Sequence, residues 1–99
     1  MKHSKLFIFA IMTTLAVSGC KHQAATYPTD TLTTKNGSQL TITFFKHASL
    51  AIETEGRHIY IDPISQYADY ASLPKADLIL ITHSHYDHLD SAAVAALST

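Results

Sequence analysis

The stretch LILITHSHYDHLD, residues 78–90, places His83, His85 and His88 within six positions, with Asp87 among them, directly after an apolar run. Imidazole nitrogens and a carboxylate are a donor set suited to Zn2+, and Mn2+ or Fe2+ also accept it. A pH-sensing cluster and plain surface decoration are the competing readings, since histidine titrates near neutrality and is often just solvated. Order and spacing favour the metal. His83 and His85 are two apart, so in extended backbone they point to the same side. His85 and His88 are three apart, which suits a turn entering a helix, with Asp87 and His88 brought forward together. A metal held there could activate a bound water and polarise an electrophile.

The elements that must position these groups can be read around them. ADLILIT, residues 76–82, has the near-continuous apolar character of a strand buried on both faces, as in an α/β layer structure. Open α/β sheets place their sites at the C-terminal ends of such strands. Upstream, TLTT and QLTITFF flank KNGS, and Asn36-Gly37 is a strong hairpin signal. SLAIET and HIYID flank a second turn at Glu55-Gly56-Arg57. Alternation puts Leu50, Ile52 and Thr54 on one face and Ala51 and Glu53 on the other; in the return strand Ile59 and Ile61 oppose His58, Tyr60 and Asp62. Pro63 ends that strand by removing a ladder donor. Residues 64–75 read as a loop with a short helical turn. Asp90 is placed to cap a helix over SAAVAALS, although a helix of that length, cut off from packing partners, is too short to hold.

Ninety-nine residues allow one domain at most. A chain 46% hydrophobic and 15% charged can fold, and a net charge of −1 gives no electrostatic reason to expect nucleic acid. One cysteine excludes an intrachain disulfide.

The amino terminus reads as an address. MKHSK carries Lys2 and Lys5, and the following apolar run, Leu6 to Val17, is 12 residues long. A membrane-spanning helix needs about 20. Basic start, short apolar core and small residues before Cys20 are the pattern of a secretory signal over residues 1–19. AVSGC resembles a bacterial lipoprotein lipobox, which implies cleavage before Cys20 and lipid on its thiol. Acyl chains there would anchor the protein to a membrane of the bacterial cell envelope, on the periplasmic or extracellular side. An ordinary cleaved signal with a free thiol is the alternative. The processed chain would carry five basic residues against eight acids, a charge of −3, a poor match for phosphate backbones. Residues 20–30 look like a tether, and residues 31–99 like the folded part.

THSHYDHLD, with His83, His85, Asp87 and His88, resembles the His-x-His-x-Asp-His signature of the metallo-β-lactamase superfamily. FFKHASLAIETEGRHIYIDP is similar to the opening strands of its lactonase-like hydrolase branch. The resemblance covers residues 39–98. It implies an α/β fold, the αββα sandwich, with only its N-terminal half present, and a site that holds two metal ions when complete. On this match His83 and His85 bind the first ion, Asp87 and His88 the second, and Asp87 also orients the attacking water. Asp62 matches an aspartate that supports the metal-binding loop from behind the ligands; a turn acid ending its strand is the alternative. His47 matches a histidine near the site, but Lys46 stands where glycine is usual, so the local backbone differs. His58 reads as an exposed strand residue, and His3 and His22 lie outside the domain. A small-molecule substrate is implied, whether lactone, amide or phosphoester. The family completes its site with two more histidines and a bridging aspartate, whereas after His88 this chain offers only Asp90. The expectation is therefore the N-terminal part of a longer metal-dependent hydrolase, inactive as this piece. A non-catalytic truncated lipoprotein with weak metal binding is the alternative. The superfamily also contains redox enzymes and nucleases; the acidic processed chain and secretory address weigh against a nuclease.

Overall fold

The computed structural model describes residues 25–99. The expected signal segment 1–19, Cys20 and residues 21–24 of the expected tether lie outside the described residues. Among those described, no helix is long and apolar enough to cross a membrane.

Five strands form one sheet in the order β1-β2-β3-β4-β5. β1 (Thr29–Thr33), β2 (Gln39–Lys46), β3 (Ser49–Thr54) and β4 (Arg57–Ile61) form an antiparallel meander, and β5 (Leu78–Leu80) joins β4 in parallel. Turn chemistry explains the meander. Gly37 adopts φ +87° between β1 and β2. Between β3 and β4, Glu55 and Gly56 both have positive φ, +51° and +72°, the requirement of the turn that matches strand twist. Tyr27 and Pro28 belong to the fold as well: the Tyr27 ring meets Phe45 edge-on at 4.8 Å, and Phe44 donates its amide to the Pro28 carbonyl at 2.9 Å. Tyr27 and Pro28, inside the stretch expected to be tether, thus pack onto the sheet, because an aromatic ring finds a partner there.

The observed pairing gives the sheet two unlike faces. Leu50 opposes Ile61 and Ile52 opposes Ile59, while Ala51 opposes Tyr60 and Glu53 opposes His58, as the alternation requires. The second face carries the core, in which Tyr60, Tyr70, Ala68, Ala93 and Leu97 are buried together. Tyr70 lies in a single helical turn, Tyr70–Ser72, and meets Phe45 and Tyr60 edge-on at 5.4 and 6.0 Å. Burial raises the Tyr60 hydroxyl to about 12, so it remains a neutral donor to the Pro74 carbonyl at 2.7 Å. His58, expected to be exposed, is half-buried on this face.

The terminal helix α1 (Ser91–Leu97) holds despite its length. Asp90 caps it by accepting from the Ala92 amide at 2.9 Å and ties it to the rest of the chain by accepting from the Ser65 amide at 2.7 Å. At the other end Lys75 Nζ donates to the Ala96 carbonyl at 2.6 Å, and the Ala76 amide donates to the Leu97 carbonyl at 2.9 Å. Ala93 and Leu97, one turn apart, are fully buried. Burying the leucine alone is worth about 2 kcal/mol. The packing partners thought to be missing are therefore Tyr60, Tyr70 and their neighbours within this chain.

β5 departs from the expected strand over 76–82 buried on both faces. It is three residues long, and Leu78 and Leu80 are each 46% exposed. Its ladder stops because Asp62 takes the Thr82 amide, at 2.7 Å, and draws the chain out of the sheet. The open face also carries Leu32 and Phe44, at 56% and 38% exposure.

Candidate metal centre

Strand direction brings the chemistry to one place. β2, β4 and β5 run the same way, so their C-terminal ends share one sheet edge. His47 follows β2, Asp62 follows β4, and His83 to His88 follow β5. Three loops thus meet at one rim.

His83 and His85 lie beyond β5 in irregular backbone with bends at Thr82, Ser84 and His85, not in extended strand, and are brought together by loop curvature. Their ring centroids are 4.6 Å apart, and those of His83 and His88 are 3.8 Å apart. His85 anchors the turn that presents Asp87 and His88: its carbonyl accepts from the amides of His88 and Leu89, both at 2.9 Å. Two donor groups result, His83-His85-Asp87 and His47-Asp87-His88, each with its ligand atoms within 4.8 Å of one another. Asp87 belongs to both.

Asp62 sits beneath this cluster, fully buried, with φ +46°. Its Oδ1 accepts from the Thr82 amide at 2.7 Å, and its Oδ2 accepts from the Thr82 hydroxyl at 2.6 Å and lies 2.8 Å from His88 Nδ1. Burial by itself raises this carboxyl, but the hydrogen bonds from Thr82 and His88 outweigh it and hold the group below its ordinary value. A carboxylate facing Nδ1 fixes the proton there, which leaves the Nε2 lone pair of His88 free for a cation. Thr82 extends the same device. Its hydroxyl proton goes to Asp62, so towards His83 Nδ1, 3.0 Å away, its oxygen can only accept. His83 is thereby also set with Nδ1 protonated and Nε2 free.

The residues present therefore suit a divalent transition metal: imidazoles and a carboxylate converge on a rim, and two rings are oriented by groups behind them. The pocket lined by Tyr27, Phe45, Tyr60 and Leu73 lies on the helix-covered face, and none of these metal-donor residues lines it.

Of the residues singled out from sequence, the structure gathers His83, His85, Asp87 and His88 at the rim, with Asp62 behind them. Thr82 was missed; its signal was the hydroxyl immediately before His83. His47, matched from sequence to a histidine near the site, also reaches the rim. The hairpin reading already put the end of β2 at the same edge as the end of β4, which was enough to bring His47 to the rim.

A family profile described as the beta-lactamase superfamily domain matches residues 41–97. The chain belongs to the beta-lactamase superfamily. The sheet and helix are a partial metallo-β-lactamase-like α/β fold. Among superfamily relatives, a metal-dependent hydrolase of Flavobacterium johnsoniae is 46% identical over 63 residues, covering 59% of this chain and 28% of that protein. One from Bacillus pumilus is 41% identical over 51 residues, covering 48% of this chain and 22% of its own length. A crystal structure from Parabacteroides distasonis, of a protein assigned as a metal-dependent hydrolase, superposes with a TM-score of 0.74 at 50% identity. It covers 75% of this chain and 34% of the other. The chain thus spans between about a fifth and a third of the length of these superfamily members.

Proposed function

We propose that the chain supplies the N-terminal part of a two-metal hydrolase, anchored by lipid at Cys20, that acts on a small-molecule lactone, amide or phosphoester. The observation that carries this reading is Asp62: a buried carboxylate aimed at the back of His88 is what a metal ligand requires and a solvated surface histidine does not. In this reading His83 and His85 hold one ion, and Asp87 and His88 hold the other, with zinc the cation best suited to the donors. Asp87, in reach of both groups, orients the water. A bound divalent metal supplies the lowered water pKa and the polarised electrophile. Asp62 and Thr82 keep His88 and His83 in the tautomer that offers Nε2. The open sheet face bearing Leu32, Phe44, Leu78 and Leu80 is where the second sheet of the sandwich packs in the whole protein.

Turnover of a lactone and phosphodiester panel by the whole protein is expected to vanish on treatment with a metal chelator and to return with zinc. Chelator-resistant turnover would exclude the hydrolase mechanism. A whole protein that binds metal weakly and turns over nothing would favour the non-catalytic lipoprotein.

Anchoring rests on the basic start, the 12-residue apolar run and the single cysteine. Replacing Cys20 with alanine is expected to move the protein from the membrane fraction to the soluble one. Full membrane retention of a processed Cys20→Ala protein would remove the lipid from the account.

A further inference from the structure

Beside the four ligand-type residues of the histidine motif stands a fifth donor, His47, reached through a different loop. It occupies a two-residue turn between β2 and β3, with φ +53°, and its side chain is 49% exposed. Its Nε2 is 3.4 Å from Asp87 Oδ2, and His88 Nε2 is 3.5 Å from the same oxygen. Two ligands at 2.0–2.1 Å on a tetrahedral ion are separated by about 3.3–3.4 Å. Asp87 therefore stands at a tetrahedral edge length from each imidazole before any ion is bound. His88 is 13% exposed and held from behind through Nδ1, so the atom it turns towards Asp87 is the free donor. A hydrogen bond between His47 and Asp87 alone would leave the His88 Nε2 distance unaccounted for; a shared cation accounts for both.

We propose that His47, Asp87 and His88 form a three-donor site for a divalent transition metal, with His47 as the third ligand of the second ion. This rests on the metal-binding reading above. It gives the second position three donors from this chain alone, to which the further histidine implied by the family resemblance would add in the whole protein. Asp87, common to both donor groups, then lies between the two positions.

The test uses the full 99-residue chain and cobalt(II) or zinc alone as probe. The His83→Ala/His85→Ala double variant removes the first group and leaves the second. It is expected to bind one cobalt with a visible ligand-field spectrum, and X-ray absorption of its zinc form is expected to count two imidazoles. Adding His47→Asn, a residue that tolerates positive φ, is expected to reduce the count to one and weaken cobalt binding at least tenfold. His47→Gly, for which that backbone is unstrained, is expected to lose the same affinity while its thermal midpoint stays at or above that of the parent. Loss of metal with the fold retained assigns the imidazole as a ligand. Unchanged affinity and imidazole count in His47→Asn would overturn this assignment while leaving the His83-His85 site standing. An unaltered chain that binds no cobalt would overturn both.

Discussion

Asp62→Ala is expected to destabilise the folded chain by about 3 kcal/mol or more, the largest effect on stability among the residues of the rim. The carboxylate is fully buried and serves the Thr82 amide, the Thr82 hydroxyl and His88 Nδ1 at once. Alanine leaves those groups without a partner, at about 1–3 kcal/mol for each that stays buried. It also places a β-carbon in left-handed backbone without the short polar side chain that makes aspartate tolerable there. Asp62→Asn separates the two roles of the residue. Asparagine accepts the positive φ and can still accept the Thr82 amide proton. Its NH2 then faces His88 Nδ1, which must turn acceptor and move its proton to Nε2, the atom a cation needs. The expected result is a stability change near 1 kcal/mol in a urea melt, beside a 10- to 100-fold loss of metal affinity. Parent-like metal affinity in Asp62→Asn would refute the tautomer argument. The same carboxyl sets an acid limit. Its folded pKa lies below its unfolded value, so its stabilisation is complete above about pH 4 and is lost as the pH falls through the folded value. Asp90 acts in the same direction, chiefly through the Ser65 amide. An acid melt of Asp62→Asn should therefore be shallower than that of the parent.

His85→Ala is expected to do the opposite: to leave the fold alone and remove the chemistry. The side chain is exposed, and the backbone carbonyl that closes the turn onto His88 and Leu89 survives in alanine. Stability should stay within about 0.5 kcal/mol of the parent. In the whole protein, metal-dependent turnover should fall by more than about a hundredfold, since losing a ligand costs more than losing a group behind one. Metal content by mass spectrometry and a melting curve on the same preparation make the comparison. Parent-level turnover would remove His85 from the site.

What could be read from the sequence was local. Asn36-Gly37 and Glu55-Gly56 name their turns because few residues accept positive φ. Asp90 names its helix because a carboxylate before an alanine-rich run is a cap. The four motif residues are legible because their types and spacing carry the chemistry themselves. The Tyr60-Tyr70-Leu97 core was not legible, since nothing in residues 64–75 shows that Tyr70 will turn inward to meet a helix more than twenty positions later. Nor was the early end of β5, which depends on a side chain just past the end of β4 taking the Thr82 amide. Thr82 escaped for the same reason: its importance lies in what faces it.

The sequential strand order has a kinetic consequence. Each of the first four strands pairs with its predecessor through a short turn, and only β5 must wait for a 16-residue crossover from β4. Such local pairing closes early and cheaply, as a nascent chain leaving the ribosome can zip one hairpin after another. The rim closes last, because its donors follow β2, β4 and β5 and come together only when β5 docks. A cation captured there would stabilise an arrangement that closes last on this topology. It would therefore act as a latch, lengthening the lifetime of the native state without hastening its formation.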